Sequence, residues 1–287
     1  SALCEFEARI TAETIQDDGE GQDVFFTISG ALPGGRALHE VQVPATEFPG
    51  MGWALKHWGT AALIHAGQNT KDHLRAAVLT LSTPERRQVF THTGWRQLDG
   101  AWCYIHAGGA IGPTGPMPEV LMDPGQSRIG MYDLPAPAAG EELLQALASS
   151  VRILDLGPED VTGPVWLSAF RAALCTAPFS IHIEARPQAG KSELAAIAAG
   201  HFGPGIHGKG LLEVWESTPA AIGRALFLAK DTLAVVDDFR PGDTRKAQDE
   251  AKGKADAGFR AAFNQAARGR LHADARALKR ANVPRGL

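Results

Sequence analysis

Ile181-His182-Ile183-Glu184-Ala185-Arg186-Pro187-Gln188-Ala189-Gly190-Lys191-Ser192-Glu193-Leu194 runs from an apolar stretch, through a short loop, into Gly-Lys-Ser and a helix-forming sequence. With residues 179–183 read as a strand and residues 191–199 as a helix stopped by Gly200, the loop between them is a strand-to-helix turn. Phosphate binding needs that arrangement. Successive backbone N–H groups point into the loop, the helix N-terminus adds partial positive charge, and the lysine reaches the β- and γ-phosphates. A serine hydroxyl beside the lysine can ligate Mg²⁺. On this reading Arg186, Pro187, Gln188, Ala189, Gly190, Lys191, Ser192 and Glu193 bind ATP, with Lys191 also acting in catalysis and Ser192 at the metal. The pattern G-x-x-x-x-G-K-[ST] is broken at its first position, where Ala185 stands. Alanine adopts the unusual backbone angles of that position less readily than glycine.

About forty-five residues downstream, Leu233-Ala-Val-Val-Asp237-Asp238-Phe239 places two carboxylates after four apolar residues. At the C-terminal end of a parallel strand such acids emerge where open α/β sheets bind ligands. Asp237 then holds Mg²⁺, directly or through water, and Asp238 orients or deprotonates the attacking water. The bland alternative is an acidic strand end, and the loop upstream is what favours a joint site.

The flanking sequence sets the architecture. Phe6, Ala8 and Ile10 alternate with polar residues, as do Val24, Phe26 and Ile28, then Val41 and Val43. Asp17-Asp18-Gly19-Glu20-Gly21 and Pro33-Gly34-Gly35 suit the hairpin turns between them. Helices are expected over residues 52–64 and 71–81, and β-like runs over 89–95, 101–106 and 128–132. The proline-rich run from Leu134 to Gly140 resembles a domain edge. Beyond it the order is helix (141–149, 165–173), strand (179–183), helix (191–199), strand (211–215), helix and strand (233–236), with Thr218-Pro219 as an N-cap followed by proline. Alternating strands and helices imply right-handed crossovers and a parallel sheet. The expectation is thus an α/β chain: a β-rich α+β N-terminal domain over 1–135, then a P-loop domain over 141–287 with a parallel sheet and helices on both faces.

Composition is that of a globular protein, 44% hydrophobic and 21% charged. No apolar run reaches the roughly 18–20 residues of a membrane span, and no leader-like segment supports export. Three widely spaced cysteines, Cys4, Cys103 and Cys175, form no C-x-x-C, which fits a reducing, cytoplasmic setting. From Arg240 to Leu287 there are twelve Lys/Arg against five Asp/Glu, a local +7 in a chain of net charge −4. This segment reads either as a solvated helical surface or as a face for phosphate or nucleic acid. His201 and His207 lack companion ligands, and Trp53, Trp58, Trp95 and Trp102 read as core before they read as base-stacking residues.

Thr91-His-Thr-Gly-Trp95 and the run from Asp99-Gly-Ala-Trp-Cys-Tyr-Ile-His106 to Gly112 resemble a family of helicase-like ATPases of bacterial chromosomes, phages, plasmids and integrative elements. These proteins are described as superfamily II helicases and inactivated derivatives, and the actinobacterial branch is the most similar. Residues 179–203, Val214-Trp-Glu-Ser-Thr218, the stretch from Ala229 to Phe239, Arg268-Gly-Arg270 and Pro284-Arg-Gly-Leu287 extend the resemblance from about residue 50 onward. It implies a RecA/ASCE-like ATPase core that works on DNA in replication or mobilisation of an element. Lys191, Ser192, Asp237 and Asp238 carry over. In such proteins further strands follow the position of Leu287, with a polar sensor and often an arginine that completes a neighbour's site, so the chain is expected to stop short of its fold. DNA, met through the basic segment, and a second copy of the chain are the implied partners, with Arg268, Arg270 and Arg285 as candidate trans-acting arginines. Two rivals stay open: a P-loop kinase for a small molecule, and an inactivated nucleotide-binding adaptor.

Overall fold

The N-terminal alternation forms the strands that its period predicts. In a computed structural model that describes residues 2–174, 177–266, 270–271, 278–279 and 282–287, β1 (Glu7–Asp17), β2 (Gln22–Ala31) and β3 (Ala37–Pro44) are antiparallel neighbours. Both expected hairpin turns are present. Asp18 Oδ1 accepts from Glu20 N and Gly21 N in the first, and Leu32 N donates to Arg36 O in the second. Ile10, Ile28, Val41 and Val43 bury their side chains in one core with Trp53, Trp58, Leu74 and Val78 from α1 (Gly52–Trp58) and α2 (Thr70–Leu81). Alternate residues of a strand share a face, so one apolar set suffices to hold both helices. The expected helix over residues 52–64 ends early, because Gly59 takes φ 62° and ψ −147° after Trp58. β4 (Glu85–Phe90) then pairs parallel with β1.

Contacts divide the chain into two units, Ser1–Phe90 and Thr91–Leu287. The division falls inside residues 89–95, which were read as one strand. Residues 91–135 belong to the second unit by this division. Here β5 (Gly94–Leu98), β6 (Ala101–His106), β7 (Gly109–Gly112) and β8 (Gly115–Met117) form a four-stranded antiparallel sheet, followed by β9 (Leu121–Met122). Residues 128–132, expected as a strand, make a single 3-10 turn at Arg128–Met131. The helices are α3 (Gly140–Val151), α4 (Glu159–Ala173), α5 (Lys191–Ala199), α6 (Pro219–Leu228) and α7 (Arg245–Asn264). The expected N-cap of α6 is in place, since the Thr218 hydroxyl accepts from Ala221 N at 3.2 Å.

The parallel P-loop sheet expected for residues 141–287 is not what the chain forms. Among the described residues, parallel pairing in the second unit is confined to two-residue strands, β10 (Glu213–Val214) beside β11 (Val236–Asp237). The remaining described ladder of that region, β12 (Arg270–Leu271) with β13 (Leu278–Lys279), is antiparallel. Residues 179–183, expected as a strand, join no ladder, and Phe179 and Ile181 are exposed. The reason is legible in hindsight. A central parallel strand is covered on both faces and reads as a continuous apolar run, whereas Phe-Ser-Ile-His-Ile alternates. Leu233-Ala-Val-Val236 is continuous, and its end, Val236 with Asp237, is what pairs.

That segment is strapped from several sides. The Tyr104 hydroxyl donates to Asp231 O at 2.7 Å and the Tyr132 hydroxyl to Leu233 O at 3.0 Å. Burial pushes both phenols well above their ordinary pKa, so both stay neutral donors. Thr93 N donates to Leu228 O, and Trp95 N to Asp231 Oδ2 at 2.9 Å. Asp231 also pairs with Lys230 and is almost wholly buried. Leu287 N donates to Thr232 O, and Ala234 N to Leu287 O. At about 1 kcal/mol for an ordinary hydrogen bond, and more for those to a charged acceptor, this fastening fixes where Asp237 emerges.

Candidate functional site

The sequence places Gly190 at a position where the backbone requires it. It precedes α5 with φ 80° and ψ 12°, the left-handed region, and nothing lies within 4 Å of where a Cβ would sit. Backbone conformation, not space, selects glycine there. No side chain caps α5, so the N–H groups of Lys191, Ser192 and Glu193 have no acceptor inside the helix. With the helix dipole they favour an anion. Ala189 N donates to Arg186 O at 3.3 Å, closing residues 186–189 into a turn. Lys191 Nζ donates to Ala185 O at 3.0 Å, tying the two ends of the loop together.

The opposite wall is the end of β11. Trp215 N donates to Asp237 O at 2.9 Å and Glu213 N to Val235 O at 3.2 Å, which fixes the strand beside β10. Asp237 is half-buried. Asp238 follows with φ 59°, and its Oδ1 lies 2.7 Å from Arg240 Nε.

Between these walls lies a cleft of about 1090 Å³. Lys191, Ser192, Pro187 and Gln188 line it together with Asp237 and Asp238. Arg186, Ala189, Gly190 and Glu193 are not on its walls; the Glu193 carboxylate packs where a side chain on Gly208 would go. Two cations that sequence reading missed also face the cleft, Arg128 and Lys209. Arg128 Nη1 donates to Leu211 O at 2.8 Å. The available signal for Lys209 was its place between two glycines in Gly208-Lys209-Gly210.

No protein-family model matches this chain, and no curated protein matches it.

Other sequence candidates separate from the cleft. Arg285 is buried, its Nε donates to Phe227 O at 2.7 Å, and its guanidinium stacks 3.7 Å from the Phe227 ring centre, so it is committed inside its own unit. Cys175, Arg268 and the side chain of Arg270 lie outside the described residues. Within the described part of the basic segment, Arg240 pairs with Asp238, Lys246 with Glu250, and Arg260 with Asp256. Lys254 Nζ donates to Trp215 O and Ser217 O. His201 bonds Ser150 Oγ and Ala198 O, a structural role. Among the described residues no helix is long and apolar enough to cross a membrane.

The residues present fit Mg·ATP. An uncapped helix N-terminus and a lysine suit a terminal phosphate, and a hydroxyl and a carboxylate face the same space. Among the described residues no three His, Cys, Asp or Glu gather into a metal cluster. A Mg²⁺ that takes most of its ligands from phosphate and water needs only one or two protein ligands.

Proposed function

We propose that the chain binds Mg·ATP in this cleft and hydrolyses it, as a helicase-like or replication-associated ATPase acting in DNA transactions of a mobile element. The observation that supports it is the joint lining of one cleft by Lys191 and Ser192 from the start of α5 and by Asp237 and Asp238 from the end of β11. Sequence spacing anticipated both pairs.

In this reading the N–H groups of the first turn of α5 and the Lys191 amine hold the β- and γ-phosphates. Ser192 and Asp237 would hold the metal, whose charge would offset the negative charge of the phosphate oxygens. Asp238 positions water and takes its proton, a role generally contributing about 10²–10⁴-fold to rate. The DNA arm rests on the family resemblance and on the basic segment from Arg240 to Leu287.

One observation favours a second reading, a nucleotide-binding adaptor with little turnover. Asp238 already pairs with Arg240, which engages a carboxylate oxygen that would otherwise face water. The two readings part in a turnover assay of the chain with Mg·ATP, with and without DNA. Turnover that rises with DNA supports the ATPase; tight binding without turnover supports the adaptor; absence of nucleotide binding refutes both.

A further inference from the structure

Three phenylalanines of the second unit stand in solvent around one hollow. Phe179, Phe259 and Phe263, with Ser180, Arg260 and Asn264, line a cup of about 450 Å³. Phe263 is 66% exposed, Phe179 44% and Phe259 37%. Phe259 and Phe263 lie four residues apart on α7, and so do Arg260 and Asn264, which puts each pair on a common stripe of the helix. The cup has a firm floor. The Phe259 ring meets Trp215 at 5.7 Å and His182 at 6.4 Å, both edge-on, and Trp215 meets Phe239 at 5.8 Å. Lys254 fastens the same helix to the Trp215 and Ser217 carbonyls.

Exposed aromatic faces rimmed by a guanidinium and an amide match the chemistry of an unpaired base. A ring stacks on the π-face of any base, arginine adds a cation–π contribution, and asparagine offers both donor and acceptor to a base edge. Charge indicates which class of occupant to expect. The cup sits largely on α7, whose residues 245–264 carry five Lys/Arg against three Asp/Glu, a local +2 in a chain of net charge −4. A phosphate backbone complements that charge; a second copy of this chain brings an acidic surface but no bases. We infer that the Phe179–Phe259–Phe263 cup stacks an unpaired base of single-stranded nucleic acid. The inference deepens the DNA arm of the proposed function and does not depend on the nucleotide cleft.

The test uses the whole chain and a fluorescently labelled thymidine homopolymer, with an equal-length duplex as comparison. Phe263→Ala is the clean variant, because that ring is the most exposed of the three. The expected result is preferential binding of the single strand, weakened by roughly tenfold in Phe263→Ala and restored in Phe263→Trp. The salt dependence of binding should keep its slope, since no charge has been removed. ATP affinity, measured on the same samples, should not change, which separates this inference from the nucleotide reading. Three results would overturn it: no binding of the single strand by the wild type, equal affinity for duplex, or unchanged affinity in Phe263→Ala. Self-association that disappears in Phe263→Ala, without oligonucleotide binding, would assign the cup to a second copy of the chain instead.

Discussion

Gly94→Ala tests whether the strapping of the segment that leads to Asp237 carries the second unit. Gly94 opens β5 with φ 93°. A Cβ there would lie 2.4 Å from Lys230 O, 2.7 Å from Asp231 Oδ2 and 2.9 Å from Asp231 Cβ, all closer than real contacts allow. Holding alanine in the left-handed region costs about 1–2 kcal/mol. Relieving the crowding moves residues 230–231 away and gives up the bond from Trp95 N to the buried Asp231 carboxylate, about 1.5–3 kcal/mol for a charged acceptor. The total is about 2.5–5 kcal/mol. At about 2–4 °C per kcal/mol for a unit of roughly 150–250 residues, melting should fall by about 10 °C. Gly190→Ala is the control, with φ 80° and nothing within 4 Å of the new atom. It carries strain without crowding, so its cost should stay near about 1–2 kcal/mol. Differential scanning calorimetry measures both. A Gly94→Ala protein that melts no lower than Gly190→Ala would refute the reasoning.

Two further outcomes follow from named contacts. Asp238→Ala should leave Mg·ATP affinity within about threefold of wild type and lower single-turnover hydrolysis by about 10²-fold or more; equal loss of binding and turnover would place Asp238 in ground-state binding instead. His106 has its pKa lowered, chiefly by burial and against the opposing pull of Asp133. Its Nδ1 accepts from Gly108 N at 3.2 Å and Leu134 N at 3.1 Å, which requires the neutral ring. The unfolded chain therefore binds the proton more tightly. The stability contributed by His106 should be complete above about pH 6.5 and be lost as pH falls through the lower folded value. Denaturant melts of wild type and His106→Asn across that range check it, and parallel pH profiles would contradict it.

Much of the candidate site was legible because loop chemistry is local. Gly190 before Lys191, and two aspartates after a continuous apolar run, are conspicuous within a dozen residues each, and the chain brings both to one cleft. The N-terminal hairpins were legible for the same reason, from alternation and Asp-Gly turns. The sheet was not. Strand pairing depends on neighbours remote in sequence, and residues 179–183 read as a strand only from their own alternation and the loop that follows. Lys209 and Arg128 were passed over because neither belongs to a motif; only packing brings them to the cleft walls. The phenylalanine cup belongs to no motif; of the four tryptophans read as core, Trp53 and Trp58 are buried, whereas Trp95 and Trp102 are exposed.

The central claim is that the start of α5 and the end of β11 make one Mg·ATP site. Isothermal titration of Mg·ATP into the wild-type chain and into Lys191→Ala tests it most directly. The account predicts one site per chain in the wild type. In the variant, loss of a charged contact worth about 1.5–3 kcal/mol should weaken affinity by about tenfold to a hundredfold. No binding by the wild type, or equal binding by the two proteins, would contradict it.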